Sequence, residues 1–179
     1  MTHRIAVYCA SNASDVPALV EGANDFVDAI AERGFSIVYG GARVGLMGVV
    51  AQRAIERKVE VIGVIPKRML DRELLMPGLS RVVIVETMAE RKALMCEEAA
   101  AYVALPGAIG TLDEIFEQWT LRHIGVHDKP IGFHDVDGFW APMIGALHTM
   151  HARRVVRDAH LAIPVVHHDA RTLLRTMLP

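Results

Sequence analysis

Only two cysteines, Cys9 and Cys96, occur in 179 residues. No disulfide framework can staple such a chain. Both fall inside apolar runs, which suits buried thiols in a reducing compartment. Charge of neither sign dominates, and the formal net charge of −2 excludes the basic footprint of a nucleic-acid or membrane-surface protein. No stretch approaches the ~20 apolar residues of a membrane span. The start, MTHRIAVYCAS, has too short an apolar run for a secretory leader. The expectation is a cytoplasmic protein. Lysines are few (Lys58, Lys67, Lys92 and Lys129), and nothing around Lys92 suggests a pyridoxal Schiff base. His148 and His151 are spaced i, i+3, and His167 and His168 are adjacent. No carboxylate or cysteine pattern completes a zinc signature around them. Neither a metal nor an organic cofactor is expected.

What is present is an ordinary globular composition, 52% apolar and 22% charged, at a length that fills one domain, residues 1–179. Strand-like runs alternate with helical ones from end to end. Strands are expected at Ile5–Cys9, Phe35–Tyr39, Val59–Ile65, Arg81–Val85, 102–105, Pro130–Phe133 and Ala162–Val166. Helices are expected at Val16–Arg33, Gly45–Arg57, Met88–Ala100, 111–124, Phe139–Arg153 and Asp169–Met177. Near-continuous apolar strands with helices between them predict a doubly wound, Rossmann-like α/β fold, with a parallel sheet covered by helices on both faces. Ligands of such sheets sit outside the carboxyl ends of the strands. The loops 10–14, 40–45, 66–80, 86–88 and 106–110 all follow strands and should meet on one edge.

Three clusters carry chemistry. The first runs from Leu105 to Glu114, LPGAIGTLDE: a strand stops at Pro106-Gly107, then Gly110 and Thr111 lead into a helix. Strand, glycine turn and helix N-terminus together make a phosphate site, because free N–H groups and the positive dipole end face an anion. Glu114 would repel a phosphate and is expected to face a sugar. Thr111 and Glu114 also fit a capping box, with Thr111 as N-cap. The second cluster, Gly40 to Gly48 (GGARVGLMG), lacks the G-x-G-x-x-G spacing, and Leu46-Met47 stand where a Walker loop needs Lys-Ser/Thr. It reads either as a backbone wall against a nucleotide or as a tight turn with close helix–sheet packing. The third is Glu90-Arg91-Lys92, where two cations near a helix N-terminus oppose the dipole. Such a violation often marks a site, and an arginine fork suits phosphate.

Together these clusters resemble the Lonely Guy family of cytokinin riboside 5′-monophosphate phosphoribohydrolases, long mislabelled lysine decarboxylases. Pro106 to Glu114 match its P-G-G-x-G-T-x-x-E pattern except at Ala108. Gly40 to Gly48 match G-G-G-x-x-G-L-M-G except at Ala42, and Met88 to Lys92 match M-H-x-R-K except at Ala89. Val64-Ile65-Pro66-Lys67, Gly125 to Phe133 and Val136 to Trp140 also have the family's look, so the similarity covers roughly residues 4–155. The resemblance implies hydrolysis of the N-glycosidic bond of a nucleoside 5′-monophosphate, releasing adenine or an N6-substituted adenine and ribose 5-phosphate. It implies Arg91 and Glu114 as the catalytic pair. Glu73, Met88, Lys92, Gly41 and Thr120 would bind substrate, as would the turn Gly107, Ala108, Ile109, Gly110 and Thr111. Met88, Trp119 and His123 are candidates for the pocket of the base substituent. It further implies a homodimer with shared sites, with no nucleic-acid or membrane partner. Rival expectations are an AMP-preferring nucleosidase without a hormone role and a non-catalytic nucleotide- or cofactor-binding protein, since molybdenum-cofactor carriers share the fold. Ala108 would be strained if its φ were positive and harmless if negative.

Overall fold

The computed structural model describes residues 3–12, 16–70 and 74–179. Its elements follow the expected alternation with every expected boundary within two residues. They are β1 (Arg4–Tyr8), α1 (Pro17–Glu32), β2 (Ser36–Tyr39), α2 (Gly45–Glu56), β3 (Val61–Pro66), β4 (Arg81–Val85) and α3 (Met88–Glu98). Then come β5 (Ala101–Ala104), α4 (Ile109–His123), β6 (Ile131–His134), α5 (Ala141–Ala152), α6 (Asp158–Leu161), β7 (Pro164–His167) and α7 (Ala170–Met177). The one-turn α6 was not anticipated. Local chemistry sets the punctuation. Pro17 sits in the first turn of α1, where its missing N–H costs nothing. Asp169 caps α7 by accepting from the Thr172 amide at 2.7 Å.

All seven strands are parallel and lie in the order β4-β3-β2-β1-β5-β6-β7. The chain starts in the middle, runs outward to β4, then crosses back to β5 beside β1. That reversal is the topological switch point, and it opens a crevice beyond the carboxyl ends of β1 and β5. Alternating side chains send Ile5, Val7 and Cys9 to one face and Ala6 and Tyr8 to the other. On the first face they join Phe26 and Ile30 of α1, Val50 of α2 and Leu173 of α7. On the second they join Met95 of α3, Ile115 and Trp119 of α4, and Trp140. Each core is sealed by helices, which is why the strands read as nearly continuous apolar runs.

The loops at the switch point are stitched together by backbone. Ala10, after β1, donates to the Pro106 carbonyl after β5 at 3.1 Å and accepts from Met47 of α2 at 3.3 Å. The segment 74–76 clasps the loop after β2. Arg43 donates to Leu74, and Met76 donates to Gly41, each at 3.0 Å. Part of the excursion 66–80 is therefore an antiparallel clip on the glycine loop, with a bridge between Ala42 and Leu75.

Candidate active site

A cavity of about 220 Å³ occupies the switch point. Its walls come from the loop after β1 (Cys9, Ala10, Ser11), from Met47 of α2, from Met69, from Met88 and Arg91 of α3, and from Ala108 to Glu114 around the start of α4. On α4 the lining residues Gly110, Thr111, Asp113 and Glu114 form one helical stripe. The neighbouring stripe, including Ile109, Leu112, Phe116, Glu117 and Thr120, lines an open groove of about 580 Å³ with Lys92. Asp113 belongs to both.

Helix α4 starts at Ile109, two residues before the expected Thr111. Its N-cap is Ala108, which has φ −101° and ψ −154° and offers no side-chain acceptor. The expected Thr111–Glu114 capping box is thus corrected, because Thr111 is the third residue of the helix. The physical reason lies in Gly107. A Cβ there would stand 2.6 Å from Thr111 Cβ, so the threonine folds back over a bare backbone. The first amides of any helix lack intrahelical partners, and at α4 the N-cap Ala108 has no side chain to take them up, the arrangement that lets a helix start accept an anion. The extended φ of Ala108 answers the question the sequence posed: alanine is unstrained there.

A side-chain N-cap forms instead on α3, at Thr87. Thr87 accepts from the Glu90 amide at 3.1 Å, and the Glu90 carboxylate accepts from the Glu86 amide at 2.9 Å. The three charges of Glu90-Arg91-Lys92 therefore part company. Glu90 folds back onto the Glu86 amide ahead of the helix. Arg91 turns into the cavity and is only 5% exposed. Lys92 reaches Glu117 at 3.0 Å and Asp113 at 3.2 Å. Burial lowers the Lys92 pKa, but hydrogen bonds to the two carboxylates outweigh it and hold it above the usual lysine value.

Arg91 has no carboxylate partner among the described residues. Its Nη1 lies 3.9 Å from the Met88 sulfur and 4.0 Å from that of Met69. Its Nε is buried without an acceptor. A buried polar group left unpaired is costly, so this atom is a place where a ligand acceptor belongs. Cys9, which sequence reasoning treated only as a buried core thiol, lines the same cavity as the two charged residues and feels both. Burial pushes its pKa far up, the Glu114 carboxylate pushes it further, and Arg91 pulls it partly back. Burial thus favours the neutral thiol over the thiolate.

Of the expected site residues, Arg91, Glu114, Met88, Ala108, Gly110 and Thr111 meet at the cavity, while Lys92, Ile109 and Thr120 line the groove beside it. Gly107 supports Thr111 from behind. Gly41 faces away: it has φ +82°, and a Cβ there would stand 3.3 Å from Ile65 Cβ and 3.5 Å from the Gly63 backbone of β3. Glu73 lies outside the described residues. The reading of Gly40 to Gly48 as a wall against the ligand gives way to the packing alternative. Gly45, with φ +56°, abuts the 10–12 loop, where a Cβ would stand 2.7 Å from the Ala10 carbonyl. Only Met47 of that cluster reaches the cavity. Cys9, Ala10, Ser11, Met47, Met69 and Asp113 were missed. The one signal for the first three was the loop after β1 ending on the same sheet edge. Trp119 and His123 line a separate apolar slot of about 200 Å³ with Leu147 and His160, away from Met88.

Fold and site define a doubly wound α/β protein with an uncapped helix end, a buried arginine and a glutamate converging at its switch point. The model of the family described as "possible lysine decarboxylase" matches residues 47–177. The chain is 37% identical to the probable cytokinin riboside 5′-monophosphate phosphoribohydrolase LOGL1 of Oryza sativa subsp. japonica, across 97% of this chain and 78% of that one. It is 41% identical to the phosphoribohydrolase LOG of the same organism, across 79% of this chain and 58% of that one. It is 38% identical to LOG2 of Arabidopsis thaliana, across 79% and 66%. The chain thus belongs to the Lonely Guy family, and it spans about three-fifths to four-fifths of these relatives. Among solved structures, the molybdenum cofactor carrier protein of Chlamydomonas reinhardtii superimposes with a TM-score of 0.74 at 18% identity, over 99% of both chains. The molybdenum cofactor binding protein of Rippkaea orientalis does so at 0.73 and 15%, over 100% of this chain and 99% of that one. These likenesses bear on fold alone.

Proposed function

We propose that the protein hydrolyses the N-glycosidic bond of adenosine 5′-monophosphate or its N6-substituted forms, releasing the free base and ribose 5-phosphate. The observation that carries this reading is the buried Arg91, its Nε unpaired, sharing one cavity with Glu114 and the uncapped start of α4. The names of the curated relatives support the same reaction. The amides at Ile109, Gly110 and Thr111 take the 5′-phosphate. Phosphate binding, remote from the bond that breaks, positions the sugar. Cleavage develops positive charge on the ribose, and the Glu114 carboxylate stabilises it and orients the attacking water. Arg91 donates from Nε to an acceptor of the substrate as the base departs. No step calls on a metal or an organic cofactor. A 220 Å³ cavity is smaller than the ~300–1,000 Å³ typical of ligand pockets. A nucleotide therefore extends along α4 into the groove lined by Ile109, Lys92 and Thr120.

The working unit in this reading is a single-domain protomer within a homodimer, acting in the cytoplasm in cytokinin production. Supporting the dimer, α5 carries the apolar sequence APMIGALHTM yet contributes no buried residue. Ile109, Val155 and Met150 are 79%, 74% and 46% exposed. Monomers seldom leave such apolar surface uncovered. No helix among the described residues is long and apolar enough to cross a membrane.

The test is chromatographic base release from AMP and from isopentenyladenosine monophosphate, with sedimentation velocity on the same sample. Release of base with ribose 5-phosphate is expected, and the ratio of the two rates assigns the preferred base. A folded protein that binds both nucleotides and cleaves neither would refute the reaction and leave a binding protein.

A further inference from the structure

We infer that Gly40 is a positioning residue. Its bare backbone is the floor on which the Arg91 guanidinium lies, and Met47, Met69 and Met88 are the walls. A Cβ at position 40 would stand 3.0 Å from Arg91 Cζ, overlap Nη2, and lie 3.0 Å from the Met47 sulfur. Gly40 is not among the glycines with positive φ, so an alanine backbone fits there. The guanidinium is what excludes a side chain. The remaining contacts of that fork are long ones to thioether sulfurs, 3.9 Å and 4.0 Å, and thioethers are weak acceptors.

The guanidinium is therefore held by shape. This differs from the usual buried arginine, which is fixed by a carboxylate. A carboxylate would hold the fork equally well but would neutralise it and occupy its donors. A glycine floor with thioether walls fixes the same geometry and leaves the charge and the Nε–H for the ligand. The role rests on the proposed reaction insofar as Arg91 serves it. The seat itself is a property of the packing.

The test is a double-mutant cycle with Gly40→Ala and Arg91→Ala, read in kcat, KM and melting temperature. The methyl of Gly40→Ala displaces the fork by on the order of 1 Å, and misplacement of that size costs about a hundredfold in rate. A kcat loss of about that size with a smaller change in KM is expected. In the Arg91→Ala background the guanidinium space is vacated, and the flexible Met47 thioether gives way into it from the methyl. There Gly40→Ala should lower neither kcat nor melting temperature further, a non-additivity that only coupled residues show. Wild-type turnover in Gly40→Ala, or losses that add in the double variant, would overturn the seat. If the wild type releases no base, the phosphoribohydrolase reading fails by itself. The melting-temperature arm then decides the seat alone: a Gly40→Ala loss that vanishes with Arg91→Ala upholds it, and an additive one overturns it.

Discussion

Replacing Glu114 by glutamine removes one charge and keeps the shape of the side chain. Glu114 lines the cavity beside Thr111 and Cys9. A carboxylate ~4 Å from the positive charge developing on a ribose, at an effective dielectric of ~20, contributes about 4 kcal/mol. That corresponds to roughly a thousandfold in rate, within the ~10²–10⁴-fold found for positioned acid–base groups. The expected outcome for Glu114→Gln is a kcat lower by about a thousandfold. KM should hold or fall, because the phosphate no longer meets a like charge. The assay is base release from AMP under saturating and limiting substrate. A second readout needs no turnover. Glu114 raises the Cys9 pKa and Arg91 lowers it, so alkylation of Cys9 at fixed mild alkaline pH should quicken in Glu114→Gln and slow in Arg91→Ala. Turnover within threefold of wild type in a folded Glu114→Gln protein would remove Glu114 from the chemistry. Alkylation unchanged in both variants would refute the opposing action of the two charges on Cys9.

Three further outcomes follow from the packing. Phe133 is wholly buried against Trp119 and Trp140, and Phe133→Ala should cost about 3–5 kcal/mol. Calorimetry should then find a melting temperature lower by roughly 6–20 °C. Ala108→Gly, at an extended position that alanine occupies without strain, should lose about 0.4–1 kcal/mol through the unfolded chain. A gain in stability would show that alanine is strained there. Asp169→Ala should cost about 1 kcal/mol at neutral pH through loss of the α7 cap. The side-chain and backbone hydrogen bonds of Thr172 hold the Asp169 carboxyl below its usual value. Folding therefore favours its ionised form. That contribution is complete above the unfolded value of about 3.9 and shrinks as pH falls through the lower folded value. Urea titrations should separate wild type from Asp169→Ala at pH 7 and bring them closer as pH falls through the lowered folded value.

The amino-acid order by itself determined the alternation of seven strands with helices, the parallel sheet and the edge that holds the site. Those properties depend on local periodicity and on punctuation by glycine and proline, which a chain carries wherever it is read. It also marked Arg91, Glu114, Gly110 and Thr111, because a glycine turn entering a helix and a cation near another helix start are local patterns. What those glycines face was decided only by tertiary structure. Gly40 and Gly45 resemble ligand-cradling residues in sequence, yet one lies under Arg91 and the other against the loop after β1. Likewise the capping pattern at Thr111 was legible but not realised, because Gly107 lets the helix begin earlier, whereas the side-chain cap at Thr87 formed without being noticed. Neither periodicity nor spacing reports which residues from five separate segments share a cavity. That is set by the crossing from β4 back to β5, which carries the start of α4 to Cys9 and Arg91, and so turns three separate patterns into one site.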